Sequence, residues 1–336
     1  MCRRLRLDRY DCLARHKGSR IEAVSEQQQP SSLFPSFAIA TVTITKSISQ
    51  MGRQILGGRV SRYVRKCFRR IVPTLYLYRS ALSGRAGLEI GGPSGLFSDE
   101  GPLPIYRDVA TLDNCLYSAT TIWTGTVQGR FEYHPRKRPG NQIICEASDL
   151  RPVPDAHYEC VLASHCLEHV ANPLRALGEW KRVLKDDGVL LLVLPHRDGT
   201  FDWRRPRTPL AHMVSDYKRN VGEGDLTHLA EILELHDLSK DKAAGSPEQF
   251  RQRCLANLAN RAMHHHVFDT RCAIELVDRA AFQVIRVDTF QPYHIIILAR
   301  RSDKGTDNQR FMGNSAEYRN RSPFPSDRAT ALGAAC

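Results

Sequence analysis

The stretch Leu88-Glu89-Ile90-Gly91-Gly92-Pro93-Ser94-Gly95 joins an apolar run to an acidic residue and a glycine-rich turn. Two more carboxylates stand at telling distances beyond it. Asp113 lies 22 residues past Gly91 and closes a second apolar run, Val109 to Leu112. The other, Asp149, comes after Ile143-Ile144-Cys145. Three strand-like runs, each ending near a polar residue, predict a parallel sheet whose carboxyl edge holds a nucleoside-bearing cofactor.

Working outward, strands are expected at Leu88 to Gly91, Val109 to Leu112, Gln142 to Cys145, Tyr158 to Ala163 and Val189 to Leu194. Two closing strands are expected at Phe282 to Thr289 and His294 to Ala299. The apolar runs between Leu88 and Leu194 lack strict alternation with polar residues, as befits strands buried on both faces. Between the fourth and fifth strands, Leu174, Leu177, Trp180, Val183 and Leu184 form the stripe of a helix over Asn172 to Lys185, with Asp186-Asp187-Gly188 as its stop. Roughly 85 residues separate the fifth and sixth strands, far beyond an ordinary connection. The predicted fold is therefore α/β: a Rossmann-like, doubly wound, mostly parallel seven-stranded sheet with a helical cap inserted at about 197–278.

Composition narrows the class. With 42% hydrophobic residues, 336 residues can bury a full core. Ten cysteines without a CxxC pair read as reduced thiols in a cytoplasmic setting. No apolar run has the length of a membrane span. The net charge of +12 is concentrated at the start, where residues 1–86 hold 17 of the 48 Lys/Arg and 4 of the 36 Asp/Glu. The remainder is close to neutral, which argues against a nucleic-acid partner for the body of the chain.

Residues 1–50 read as a disordered leader, or as sequence ahead of a true start at Met51. In 51–86, Ile55, Val60, Val64, Phe68 and Ile71 alternate with arginines in a basic amphipathic helical segment. Its arginines, within 53–70, either face water or meet an anionic membrane surface or acidic partner. The tail 301–336, rich in Asn, Ser, Arg and Pro, is expected to be disordered.

Glu89, the turn Gly91, Gly92, Pro93, Gly95, and the run Ser164-His165-Cys166-Leu167-Glu168-His169-Val170 together resemble the class I S-adenosylmethionine-dependent methyltransferases, with a type 11-like domain. The resemblance covers about Gly87 to Arg300. It implies S-adenosyl-L-methionine as cofactor, with Glu89 at the methionine amino group. It also implies Asp113, with Asn114, at the ribose hydroxyls and Asp149, with Leu150, at the adenine. Ser164 and His165 would wall the transferring methyl. The sequence departs from the family at Pro93, which stands where a middle glycine is usual; proline is tolerable as the first residue of a short helix.

Methyl transfer from a sulfonium expels a neutral thioether, so the chemistry left to side chains is alignment and removal of the acceptor's proton. Histidine suits the proton. His228 near Asp225 and His196 near Asp198 are candidate bases beside His165, followed by His265. The triplet His264-His265-His266 cannot aim all its rings at one ion and matches no metal motif, so no bound metal is expected.

The expected function is thus methyl transfer to a small polar acceptor, such as a sugar or glycan-precursor hydroxyl. The alternatives are a catalytically degenerate methyltransferase-like binding protein, or an RNA or other nucleic-acid methyltransferase using the basic segment. A nicotinamide-dependent dehydrogenase would need GxGxxG, whereas the last glycine here comes one position early.

Overall fold

The computed structural model describes residues 70–328. The leader 1–50 and the basic segment as far as residue 69 lie outside the described residues. After a short helix α1 (Leu75–Leu82), the sheet is built from β1 (Ala86–Ile90), β2 (Thr111–Leu116), β3 (Gln142–Ile144), β4 (Tyr158–Ser164), β5 (Leu184–Pro195), β6 (Phe282–Phe290) and β7 (His294–Arg301). A two-stranded ladder, Thr120–Thr121 with Gly125–Thr126, stands apart from it.

The strand order is β3-β2-β1-β4-β5-β7-β6. The pairs among β1 to β5 are parallel, and β7 enters antiparallel between β5 and β6. The order reverses at β1, which pairs with β2 on one side and β4 on the other. Such a reversal opens a crevice at the carboxyl ends of the strands, so the turn after β1 and the turn after β4 share one edge.

Central position explains composition. From Val189 to Leu194 every residue of β5 is buried, as expected of a strand covered on both faces. Helix α2 (Pro173–Val183) begins where Asn172 accepts the Arg175 N–H at 3.1 Å and Pro173 takes the first turn. It buries Leu174, Leu177, Trp180 and Val183 against one face of the sheet. The opposite face is closed by Tyr78 and Leu82 of α1 and by Phe97, Leu103, Ile105 and Tyr106 from the β1–β2 connection.

Between β5 and β6 come α3 (Leu210–Lys218), α4 (Leu229–Leu235), α5 (Pro247–Leu255), the single turn α6 (Asn257–Asn260) and α7 (Thr270–Arg279). Helix α7 packs into the main core through Cys272, Ala273, Leu276 and Val277. A small separate core of Ile232, Ala244, Phe250, Cys254 and Met263 holds the rest of this insertion together.

Four local expectations need correction. The second strand runs Thr111–Leu116 rather than ending at Leu112, which leaves Asp113 inside the strand. The Gly92–Pro93 peptide is cis and Pro93 opens no helix, since residues 91–110 form turns. Asp186-Asp187-Gly188 makes no separate turn; it lies in the irregular first part of β5, with both aspartates exposed and Gly188 buried, where the register with β4 shifts. The tail expected to be disordered from 301 is ordered through 328, with α8 (Gln309–Met312), α9 (Glu317–Arg321) and α10 (Pro325–Arg328) burying Phe311, Tyr318 and Phe324.

Candidate active site

The turn after β1 is held from beneath. Gly91 has φ +80°, a left-handed conformation that suits glycine, and its N–H donates to Cys115 O at 2.9 Å. The fully buried Asn114 accepts the Gly92 N–H at 2.9 Å and donates to Gly92 O at 3.0 Å and Gln142 Oε1 at 3.1 Å. Gly92 rests on Glu89: a Cβ there would lie 2.4 Å from the Glu89 carboxyl carbon. The Glu89 carboxyl accepts from Tyr106 OH at 2.8 and 2.9 Å and from Ser94 N at 3.1 Å. Burial pushes its pKa up to about 8, against the lowering effect of those hydrogen bonds. Glu89 is therefore a buried acid poised to ionise when a cation comes near.

The other two expected carboxylates are placed differently. β1 and β2 pair Glu89 with Asn114 and Leu88 with Asp113, so the pleat sends Asp113 to the opposite face from Glu89. There it accepts from Tyr158 OH at 2.7 Å and Asn141 N at 2.7 Å. Asp113 thus fastens β2 to β3 and β4 and does not stand at the carboxyl edge. Asn114 has spent its amide on Gly92 and Gln142, so it positions the turn instead of reaching a ribose. Asp149 is half-buried, with Arg151 Nε at 2.8 Å holding its carboxyl below the usual range, and it lines a groove of about 480 Å³ with Ser148, Arg175 and Tyr217. Leu150 is a core residue whose N–H is taken by Glu179 at 2.8 Å. The three carboxylates Glu89, Asp113 and Asp149 do not converge.

Sequence reading missed what ends β2 and β3. Tyr117 comes directly after β2 and Glu146 shortly after β3, and Arg261 from the insertion pairs with Glu146 and lies over the Tyr117 ring at 5.1 Å. The signal was present in Cys115-Leu116, which prolong the apolar run past Asp113-Asn114.

The edge of β4 carries the densest chemistry. His165 follows the strand with φ +51°, an uncommon conformation for a non-glycine residue that is found at functional sites. Its Nε2 faces His294 Nδ1 at 2.9 Å and its Nδ1 faces Glu168 Oε1 at 3.5 Å. Burial alone would raise the Glu168 pKa, but the His165 hydrogen bond and the nearby histidine charges hold it below the ordinary value. Burial and the charge of His165 push the His294 pKa well down, so that ring is neutral. Beside them the buried Ser164 Oγ has no hydrogen-bond partner. Cys166 Sγ lies 3.3 Å from where a Cβ of Gly91 would be, which brings the β1 and β4 turns into contact.

The other candidate bases lie elsewhere. His196 is fully buried, stacked on Phe324 at 4.0 Å between ring centres and hydrogen-bonded to Asp327. It is therefore a structural residue with no open side. His228 faces His212, Nε2 to Nε2 at 3.0 Å, and burial together with the charges of His212 and Arg205 lowers its pKa. The histidine triplet splits three ways. His264 Nδ1 meets Asp202 at 2.5 Å, His265 Nε2 meets Asn257 at 3.1 Å, and His266 Nε2 meets Ala171 O at 3.3 Å. Behind the β4 edge, Asp202 also binds the buried Arg205, which reaches Glu231.

The strand order 3-2-1-4-5-7-6, with its one antiparallel strand, sets a glycine turn over a buried acid at the carboxyl edge of the sheet. Residues 111–192 match the sequence profile of a family described as a methyltransferase domain. Those residues, which run from β2 to β5, carry a methyltransferase domain. Solved structures with a similar fold include an S-adenosylmethionine-dependent methyltransferase from Mesorhizobium loti (13% identity, 68% of this chain and 96% of that one, TM-score 0.40). A second is a methyltransferase from Methanosarcina mazei (16% identity, 69% and 98%, TM-score 0.38). A third is the 1,6-didemethyltoxoflavin-N1-methyltransferase of Burkholderia thailandensis bound to 1,6-didemethyltoxoflavin and S-adenosylhomocysteine (12% identity, 81% and 94%, TM-score 0.37). No curated protein matches the sequence.

The residues at the edge suit the methionine end of the cofactor. Open space surrounds the Cβ position of Gly95, the Glu89 carboxyl is buried beneath the turn, and Ser164 Oγ makes no hydrogen bond. No helix among the described residues is long and apolar enough to cross a membrane.

Proposed function

We propose that this methyltransferase acts on a hydroxyl of a small polar acceptor, with a sugar or glycan precursor as the favoured class, and that His165 takes the acceptor's proton. S-adenosylmethionine supplies a methyl group on a cationic sulfur that departs as a neutral thioether. The Gly91–Gly95 turn and Glu89 hold the methionine end. His165 supplies the base. Glu168 faces Nδ1 and would accept its proton, which leaves the Nε2 lone pair for the acceptor's proton once the entering hydroxyl displaces the His294 ring that Nε2 faces at 2.9 Å. A fixed base at hydrogen-bonding distance contributes about 10²–10⁴-fold.

The observation that carries this reading is the strained His165 at the sheet edge, backed by a buried ionised carboxylate. Behind this edge the insertion buries a charged network of Asp202, Arg205 and His264, a polar surround that favours a hydroxylated acceptor over an apolar one. The test is methyl transfer from labelled S-adenosylmethionine to a panel of sugars, nucleotide sugars and phenols. A hydroxylated sugar should be methylated, and H165Q should lower kcat by about 10²-fold or more while leaving S-adenosylhomocysteine binding within about twofold. Methylation of nucleic acid or protein alone would overturn the acceptor class, and an unchanged kcat in H165Q would remove the base.

A further inference from the structure

The inserted helices bring together a set of side chains that the methyl-transfer chemistry does not use. His212 and Asp216 stand four residues apart on α3, one above the other on a single face. His228 immediately precedes α4, and His266 comes from the loop before α7. His212 Nε2 lies 3.0 Å from His228 Nε2 and 3.2 Å from Asp216 Oδ2, and His266 Nε2 lies 4.0 Å from the same carboxylate oxygen. One ligand atom from each of the four residues falls within 4.8 Å of the others.

Hydrogen bonding alone accounts poorly for this arrangement. Three lone-pair atoms converge at His212 Nε2, and one proton cannot serve both neighbours. His266 Nδ1 is buried without a partner, and its Nε2 makes only the 3.3 Å contact to Ala171 O. We propose that His212, Asp216, His228 and His266 form a zinc site, a closed His₃Asp tetrahedron that staples the insertion to itself.

Zinc binds imidazole nitrogen and carboxylate oxygen at about 2.0–2.2 Å, which puts tetrahedral ligand atoms about 3.3–3.5 Å apart. The observed spacings bracket that value, so small rotations of the rings suffice. Metal binding needs imidazoles in their neutral form. The aspartate is oriented from behind: its Oδ1 accepts from Arg219 at 2.7 Å, and Asn172 Nδ2 donates to its backbone carbonyl. Asp216 and His266 are buried while His212 and His228 are part-exposed, which provides an entry path. With four protein ligands the site has no open position, so its role is structural. The loop it anchors reaches the methyl-transfer edge, since the His265 N–H donates to Glu168 O at 2.8 Å.

The experiment uses the untagged full-length chain. After exhaustive dialysis, elemental analysis should find about one zinc per chain. The chelator-stripped protein should gain about 5–10 °C in Tm when zinc is returned at roughly a hundredfold above its Kd. Cobalt(II) added to the stripped protein should produce the visible absorption of a tetrahedral nitrogen and oxygen site. H212Q/H228Q should lose the stoichiometric zinc and the zinc-dependent shift in Tm. The proposal is overturned if the wild-type chain takes up neither zinc nor cobalt, or if the double variant retains both responses. Should the variant fail to fold, the cobalt titration of the wild-type chain decides alone. None of these readouts depends on methyl transfer.

Discussion

Asn114 clamps Gly92 at both ends of its backbone: the side-chain oxygen accepts the Gly92 N–H at 2.9 Å and the side-chain nitrogen donates to Gly92 O at 3.0 Å. A strand residue thereby sets the conformation of the neighbouring strand's ligand turn. In N114D the carboxylate can still accept from the Gly92 N–H but offers no donor to the Gly92 carbonyl. An unsatisfied buried group costs about 1–3 kcal/mol. The variant should lose stability of that order in urea unfolding. It should also bind S-adenosylhomocysteine at least about tenfold more weakly by calorimetry, since about 1.4 kcal/mol is one decade. Wild-type affinity in N114D would show that the turn is set without the clamp.

Glu89 makes stability depend on pH in a direction opposite to most carboxylates. Its pKa is about 8 in the folded chain and near 4.5 when exposed, so between those values the folded state holds a proton that the unfolded state has released. The stabilising contribution is complete below about pH 4.5 and is lost as pH rises through 8. E89Q keeps an acceptor for Tyr106 and cannot ionise. The stability of E89Q relative to wild type should therefore increase from pH 5 to pH 9, by at most about 3–5 kcal/mol at about 1.4 kcal/mol per pH unit. Parallel stability curves for the two proteins across this range would refute the buried acid. The cofactor's ammonium favours the ionised form, so its binding to wild type should release a proton below pH 8 and should not do so in E89Q.

The sheet was legible because its strands are nearly continuous apolar runs; His294 to Leu298 and Val189 to Leu194 have no other reasonable reading. Placement at the edge was legible where it depends on a residue's own turn, as with Gly91 and Gly92 after β1 and His165 after β4. It failed at Asp113, where a polar pair interrupts an apolar run. Asp113-Asn114 resembled a strand end, yet both side chains find partners outside β2, Tyr158 on β4 and Gly92 in the turn after β1, and β2 continues to Leu116. The partners lie 22 to 45 residues away, beyond the reach of local pattern. His196 misled in the same way. Its carboxylate partner is not Asp198 but Asp327, which is 131 residues away in a tail whose composition suggested disorder.

That distant carboxylate governs the last prediction. Asp327 is buried and accepts from His196 Nε2 at 3.2 Å, Thr270 Oγ1 at 2.7 Å and Ser322 Oγ at 2.6 Å. Burial would raise its pKa, but these donors and the charge of His196 hold it below the usual value. A lowered carboxylate stabilises above its unfolded pKa, about 3.9, and that contribution fades as pH falls through the folded value. D327A leaves three buried donors without an acceptor and should cost about 3–5 kcal/mol. D327N retains one acceptor oxygen and should cost less. Denaturant unfolding at pH 7 would measure both. Because Phe324 stacks on His196 and Asp327 ties β5, α7 and the tail together, hydrogen exchange should rise jointly in residues 317–328 and at the start of α7. If exchange rose only in the tail, Asp327 would be a latch for the tail alone, and the fold would stand without it.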